Sequence, residues 1–205
     1  METITIEKAL AELRKDEKRK FIQSLDIIIN LQKFDARKES ITLFVSIPHP
    51  SQRTLCAVLT RKVDYIDCLT REDFTKFKEL KEIKRLAKRY DFFIAAAPLM
   101  AEIATKFGRV FGPMGKMPSP QAGIIAMDTD ANVKAMIEKM KSIVKIKSKE
   151  KSLKIAVGKE DMSDKDLKEN IETILTAVTN ALPQKGNNIK NVLIKFTMSK
   201  PVRIK

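Results

Sequence analysis

The stretch FGPMGKMPSPQAG, from Phe111 to Gly123, carries glycines and a lysine, the residue types of a phosphate-binding loop, together with three prolines. A nucleotide-binding P-loop needs G-x-x-x-x-G-K-[ST], because main-chain N–H groups hold the phosphates and the hydroxyl holds magnesium. Here Gly115-Lys116 is followed by Met117, and prolines 113, 118 and 120 remove N–H donors. The stretch therefore predicts no nucleotide site. We expect a stiff, exposed loop formed by Gly112, Gly115, Lys116 and Pro118, with the Lys116 side chain pointing outward from it.

Other residues that could do chemistry are scarce. The only histidine, His49, lies between two prolines and is predicted to be a solvent-exposed loop residue. No His and Cys spacing suggests a zinc site, and no nucleophile motif is present. Cys56 and Cys68 fall in apolar runs, which indicates inert core thiols. The sequence predicts a protein that is not an enzyme and needs no metal or cofactor.

The net charge of +14 is the main compositional signal, and a polyanion, most often nucleic acid, is the partner it favours. The alternative is a solvated surface charge. Residues 141–205 hold 15 cations and 7 carboxylates, and their lysines are spaced through apparent strands. Such alternation turns one face to the core and the other to an anion. The N-terminus has no signal peptide and no apolar run could span a membrane, so we expect a cytoplasmic protein without a membrane partner.

The periodicity predicts two kinds of architecture. Each end of the chain alternates apolar and polar residues, as in SLDIIINL and SLKIAVG, together with one amphipathic helix, which is typical of an α+β sheet. The middle has short continuous apolar runs between helices, which favours an α/β unit with a parallel sheet. We predict helices over 76–90, from 97 to 107, and over 130–143, the last capped by Asp130, and a single closing strand that stops near Pro201.

Neither end can cover its apolar face alone, so the two ends are predicted to form one discontinuous domain of five strands and two helices. That domain comprises residues 1–50 and 141–205, and residues 51–140 form a second domain inserted in it. The two connections, near 49–53 and 139–142, would act as a hinge.

Several motifs resemble one family. G-P-x-G-K-M-P after YDFFIA, RKFIQSLDIIINL, SIPHP, VGKEDMSDKDLKENI and KFTMSKPVRIK together resemble, in order and over essentially the whole chain, the L1 family of large-subunit ribosomal proteins. The style is archaeal, with a eukaryote-like Lys-Pro near the end. Ser199 stands where the family usually has glycine, and Met114 where its loop usually has arginine. The resemblance implies a split β-α-β domain of the α+β class with an inserted Rossmann-like three-layer α/β domain.

The resemblance also implies an rRNA-binding surface on two stretches of the split domain. These hold Lys20, Phe21, Ser24 and Asp26, and Asn191, Lys195, Thr197, Met198 and Ser199, with Lys154 on a nearby strand. Lysines can meet phosphate, and hydroxyls can bond a 2′-OH. Read without the resemblance, Phe21 could equally be a core residue, and Thr197-Met198 would be ordinary strand alternation.

The implied role is a structural component of the large ribosomal subunit, at the mobile stalk beside the tRNA exit site. The implied partners are large-subunit rRNA, exit-site tRNA during its release, and its own messenger RNA, which the protein would repress. A nucleotide-dependent enzyme built on the α/β insert is the alternative, and the failed P-loop argues against it.

Overall fold

The computed structural model describes residues 4–15, 19–35, 41–77, 79–148 and 150–204. The strands are β1 (Ser24–Leu31), β2 (Thr42–Ser46), β3 (Leu55–Val58), β4 (Asp67–Leu69), β5 (Phe92–Ala96), β6 (Ile124–Ile125), β7 (Ile143–Lys147), β8 (Ser152–Lys159), β9 (Ile189–Phe196) and β10 (Val202–Arg203). The α-helices are α1 (Ile6–Leu13), α2 (Leu80–Arg89), α3 (Met100–Met114), α4 (Asp130–Ser142) and α5 (Asp164–Ala181).

The chain divides into two compact units. The split unit comprises Met1–Ser51 and Ser142–Lys205, and the inserted unit comprises Gln52–Lys141. The fold is mixed: the N- and C-terminal strands form antiparallel sheets, and the inserted unit holds a parallel sheet with helices. That each unit folds as an independent domain stays a prediction. Within the described residues, no helix combines the length and apolar character that crossing a bilayer requires.

The split unit is organised around β1. In this strand buried and half-buried residues alternate without a break, as the period of two in SLDIIINL predicts. The four-stranded sheet has the order β10-β9-β1-β8, and all its pairs are antiparallel. Its buried face packs against α1 and α5, whose stripes of buried residues contribute to the same core. The alternation therefore fixes which side chains point away from the core.

The end of the chain differs from the prediction of one closing strand. β9 ends at Phe196, residues 197–200 form a turn, and β10 follows Pro201. Because β10 pairs back onto β9, this turn connects two neighbouring antiparallel strands. Among the described residues the split unit has six strands, four in the main sheet and two in a separate β2–β7 sheet, rather than five in one layer.

His49 was predicted to be a solvent-exposed loop residue, but it is half-buried and bonded to α5. Its Nε2 atom lies 2.8 Å from a carboxylate oxygen of Glu169 on α5. The buried Asn170 accepts a hydrogen bond from the His49 N–H at 3.1 Å and donates one to the His49 carbonyl at 2.7 Å. The segment after β2 is thus fastened to α5 by both its main chain and its side chain.

The inserted unit has a parallel sheet of order β4-β3-β5-β6. β3 is buried along its whole length, as expected of a central strand in a parallel sheet. One core combines buried residues of β3 and β5 with an aromatic cluster of Phe74, Phe93, Phe107 and Phe111. Cys56 lies in this core, and burial raises the pKa of its thiol to about 12, which fits an inert core thiol.

The glycine and proline stretch differs most from the prediction of an exposed loop. α3 runs through Gly112 and Pro113 to Met114, and Gly115 ends it in the left-handed conformation at φ 70°. Lys116 is half-buried, and its ammonium group donates to the carbonyls of Ala87 and Tyr90 at 2.7 and 2.6 Å. Pro118 is buried. The lysine expected to be presented outward therefore holds the C-terminal end of α2 instead.

Two smaller expectations also change. α2 begins at Leu80, and a short 3-10 helix over Glu72–Lys76 precedes it. Asp130 is the first residue of α4 rather than its cap, and its carboxylate accepts from Arg61 at 2.8 Å. Two further predictions from the sequence, that residues 14–20 form the polar end of the first helix and that residues 32–40 form a charged connection after β1, lie partly outside the described residues.

Candidate nucleic-acid interface

The outward face of the four-stranded sheet gathers five of the predicted residues. Ser24 and Asp26 lie on the half-buried side of β1, which alternates with its core side. Asp26 is paired across the sheet with Lys195 of β9, and Asn30 is paired with Asn191. On the other side of β1, Lys154 of β8 is paired with Ile28. Because paired residues of antiparallel strands share a face, these side chains form one surface.

The centre of this face is apolar and its two ends are polar. Ile28 of β1 is paired with Leu193 of β9, and both are half-buried. Towards one end, the Asn30 amide donates to the Asn191 side-chain oxygen at 2.6 Å. Towards the other end lies the Asp26–Lys195 pair. The sequence reasoning had not included Asn30, Ile28 or Leu193, although the period of two in β1 could have identified Asn30 and Ile28 as neighbours of Asp26.

Asp26 is an unusual residue for a face meant for phosphate. Burial raises the pKa of its carboxyl group, and the charge of Lys195 opposes that rise only in part. The folded chain therefore holds a partly desolvated carboxylate beside a lysine. Such a group is suited to accept hydrogen bonds from an uncharged donor such as a hydroxyl or a base N–H.

The turn after β9 fastens to the beginning of β1. The Thr197 hydroxyl accepts a hydrogen bond from the Ser24 N–H at 3.2 Å, and the Thr197 N–H donates to the Ser24 carbonyl at 3.1 Å. The Thr197 hydroxyl is thus engaged with the protein's own main chain, and its position, rather than a free hydroxyl, is what this residue contributes. The Ser24 hydroxyl makes no hydrogen bond to the described residues, so it remains available to a ligand.

Gln23 positions Met198, and the sequence reasoning missed it. Its side chain is buried, and its amide oxygen accepts from the Met198 N–H at 3.0 Å. Its main chain pairs with Glu160, whose N–H donates to the Gln23 carbonyl at 2.8 Å. The sequence offered a signal, because Gln23 directly precedes β1 in phase with its buried residues, where a polar side chain is tolerated only if it is hydrogen-bonded.

Apolar side chains are exposed at this end of the sheet. Phe21, Ile22 and Met198 expose 53%, 60% and 61% of their surface, so Phe21 is not a core residue. Phe21 and Ile22 line a shallow pocket together with Arg14, Arg19, Lys20, Glu160 and Asp161. Arg14 is structural, since its guanidinium bonds Asp164 at 2.6 Å and two main-chain carbonyls. Exposed apolar groups beside cations suit the sugars and bases of a nucleic acid.

Ser199 fits the turn without strain. Among the described residues, positive φ outside glycine occurs at Lys33 and Lys185, so the turn does not require a glycine at 199. The Ser199 hydroxyl accepts from the Phe196 N–H at 2.8 Å and thereby closes the turn. The serine is therefore used within the protein.

The predicted residues form two adjoining groups in the split unit. Ser24, Asp26, Lys154, Asn191 and Lys195 lie on the sheet face, and Lys20, Phe21, Thr197, Met198 and Ser199 lie around the end where β1 begins and β9 finishes. The predicted loop residues, Gly112, Gly115, Lys116 and Pro118, belong to the inserted unit and are not part of this surface.

Comparison with known proteins gives a consistent result. Residues 13–200 match the Ribosomal protein L1p/L10e family. The "Large ribosomal subunit protein uL1" of Thermococcus kodakarensis is 35% identical over 199 residues, covering 91% of this chain and 89% of that protein. The proteins of the same name from Methanococcoides burtonii and Methanothermococcus thermolithotrophicus are 36% and 33% identical, and the latter match covers 100% of this chain and 99% of the relative.

Proposed function

The chain belongs to the ribosomal protein L1p/L10e family and is a part of the large ribosomal subunit rather than an enzyme, and from this premise we propose that it binds large-subunit rRNA directly. The binding surface is the outward face of the four-stranded sheet together with the exposed end formed by Lys20, Phe21 and Met198. One observation carries the proposal: hydrogen bonds between Thr197 and Ser24 bring the two predicted stretches together.

The chemistry of this surface favours RNA. Lys20, Lys154 and Lys195 supply phosphate contacts, which fix an RNA backbone without reading its sequence. The Ser24 hydroxyl and the Asp26 carboxylate supply contacts to 2′-OH groups or base edges, which a DNA duplex lacks or hides. Phe21 and Met198 expose apolar surface for sugars or unstacked bases.

The wider role follows the family. In the mobile stalk beside the tRNA exit site, the protein assists the release of deacylated tRNA. The same surface binds its own messenger RNA and represses its translation, because one RNA-binding face can serve two RNAs of like structure. Both statements rest on the family likeness rather than on a contact of the described residues.

The finer architecture belongs to the same proposal. We infer a split β-α-β domain and an inserted Rossmann-like three-layer domain, joined by a hinge near 49–53 and 139–142. The parallel order of the inserted sheet supports this arrangement, as does α4, whose buried Val133, Ile137 and Met140 lie outside the core cluster containing residues of α2 and α3. Expression of the inserted unit alone tests it, and a fragment that does not unfold cooperatively would count against independent domains.

Binding to a stalk rRNA fragment and to a DNA duplex of equal charge, measured over a salt series, tests the function. Affinity for both should fall with salt as lysine–phosphate contacts release counterions. The rRNA fragment should remain the tighter ligand at physiological salt, since the uncharged contacts survive screening. Equal affinities would leave only a basic protein without RNA specificity.

A further inference from the structure

The outer face of α2, in the inserted unit, carries a block of four cations. Lys81, Lys84, Arg85 and Lys88 follow the spacing i, i+3, i+4, i+7, which places them on one face over two turns of the helix. All four side chains are exposed, whereas Ile83 and Ala87 on the opposite face are buried in the core. We call this set the α2 basic face.

These cations have no partner in the part of the chain that the structure describes. None of the four forms an ion pair or a hydrogen bond with a described residue. Some other cations of the inserted unit are paired with carboxylates: Arg61 with Asp130 at 2.8 Å, and Arg71 with Glu102 at 2.8 Å. The α2 basic face is therefore an uncompensated charge rather than one side of an ion-pair network.

Helix stability does not account for the arrangement. Lys81 with Arg85, and Lys84 with Lys88, are like-charge i, i+4 pairs, which destabilise a helix. The helix dipole favours Lys88 near the C-terminal end but disfavours Lys81 in the first turn. The carboxylate of Glu82, the acidic residue within α2, lies near the Glu79 N–H at the N-terminal end, at 3.4 Å. A bound anion would relieve the repulsion that the helix bears.

The helix that carries this face is held firmly. Its buried face packs in the aromatic core of the inserted unit, and Lys116 binds the carbonyls of Ala87 and Tyr90 at its C-terminal end. Arg85 also lines a groove with Arg89, and the half-buried Phe77 and Leu86 supply apolar surface there. Cations above a partly apolar groove suit a ligand that combines charge with flat or apolar surface.

We propose that the α2 basic face binds the phosphate backbone of an RNA segment distinct from the one on the split unit. Cations four residues apart are separated by about 6 Å along the helix axis, so the face offers two parallel rows of charge to a backbone. The choice of RNA as the polyanion rests on the proposed function. The contact reads charge and not sequence, because phosphate contacts position a backbone without specifying bases.

The test uses the full chain, already bound to the stalk rRNA fragment, and a labelled RNA hairpin of unrelated sequence as the probe. The variant Lys81→Gln/Lys88→Gln removes two charges from the face. The matched control Lys134→Gln/Lys141→Gln removes two exposed lysines at the same i, i+7 spacing on α4 of the same unit. Thermal unfolding accompanies each measurement, and the α2 variant should be no less stable than the parent because like charges are removed.

The α2 variant should bind the hairpin about tenfold more weakly at about 0.05 M salt, with a salt dependence shallower by about one to two counterions. The control should change hairpin affinity by less than about twofold. Equal losses in both variants, or none in either, would overturn the proposal. So would equally tight binding of poly-glutamate of matched charge, which would assign the face to an acidic protein. Both variants should bind the stalk fragment like the parent, and failure of the parent to bind it would count against the proposed function alone.

Discussion

Replacement of Asn170 by leucine should destabilise the split unit more than the loss of any ion pair near Asn170. Asn170 is completely buried on α5, and its side chain makes three hydrogen bonds. It accepts from the His49 N–H at 3.1 Å and donates to the carbonyls of His49 and Val157, at 2.7 and 3.2 Å. Leucine has a similar shape but can satisfy none of these groups.

The expected cost follows from where the three abandoned groups lie. The Val157 carbonyl is in the core, and an unsatisfied buried acceptor costs about 1–3 kcal/mol. The two main-chain groups of His49 are in a half-buried segment where water can replace part of the loss, so each adds about 0.5 kcal/mol, the lower end of the usual range. We therefore expect the free energy of unfolding to fall by about 3 kcal/mol. The His49–Glu169 side-chain contact is partly exposed and should contribute less than about 1 kcal/mol.

Urea unfolding of the full chain, followed by circular dichroism, measures this difference. Asn180→Leu is the matched control, because it makes the same chemical change at an exposed position on the same helix. His49→Gln keeps the main-chain bonds and removes the imidazole. A decrease in the free energy of unfolding below about 1 kcal/mol for Asn170→Leu, or one no larger than that of Asn180→Leu, would refute the expected cost of the three unpaired groups.

Three further predictions concern the proposed RNA surface. Thr197→Val should weaken binding of the stalk rRNA fragment more than Lys200→Ala, because the valine leaves the Ser24 N–H unpaired whereas Lys200 is exposed. The loss caused by Thr197→Val should persist as salt rises. If titrations at two salt concentrations gave the opposite ranking, charge alone would explain the binding. A chain joining residues 1–50 to 141–205 by a glycine linker should keep most of the affinity, and a loss of a hundredfold or more, about 2.7 kcal/mol, would place essential contacts in the insert. Asp26→Asn should stabilise the free protein at neutral pH, since burial raises the pKa of Asp26 and the ionised form is penalised. This gain in stability should shrink as the pH falls through the raised pKa and Asp26 becomes protonated. Thermal unfolding across pH measures the gain, and the reverse trend would mean that the carboxylate is stabilising.

The parts of the fold that follow a local period could be predicted from the sequence. The alternation in β1 identified its core side and hence the outward position of Ser24 and Asp26. The Ser163 cap of α5 was also predictable, because the Asp166 N–H bonds the Ser163 hydroxyl at 3.2 Å within one turn. Such features depend on residues close together in the chain, so their physical cause is visible in a single stretch of sequence.

Of the features that the sequence did not reveal, one depends on distant main-chain groups and two depend on local structure that departs from the expected pattern. Lys116 is half-buried because the carbonyl end of α2, 26 to 29 residues earlier, offers acceptors to its ammonium group. The FTMSKP segment has the alternation of a strand, but the Ser199 hydroxyl bonds the Phe196 N–H and favours a turn. Pro113 was expected to lie in a loop, yet α3 continues through it to Met114, and the left-handed Gly115 ends the helix at the next residue.

The position of Asp26 distinguishes two explanations of the basic surface: general attraction to phosphate, and selective binding of RNA. A surface selected only to attract phosphate gains nothing from a carboxylate, because the like charge would repel the backbone and its burial costs free energy. On the outward face, Asp26 lies beside Lys195 at one end of β1, whereas at the other end the cross-strand pair is the uncharged Asn30–Asn191. Lysines around this face supply attraction that weakens with salt, and the carboxylate and amides supply directional acceptors and donors that do not depend on it. We therefore expect Asp26→Lys to raise the affinity for any polyanion while narrowing the difference between the rRNA fragment and duplex DNA, which is the change that a face built for selectivity should show.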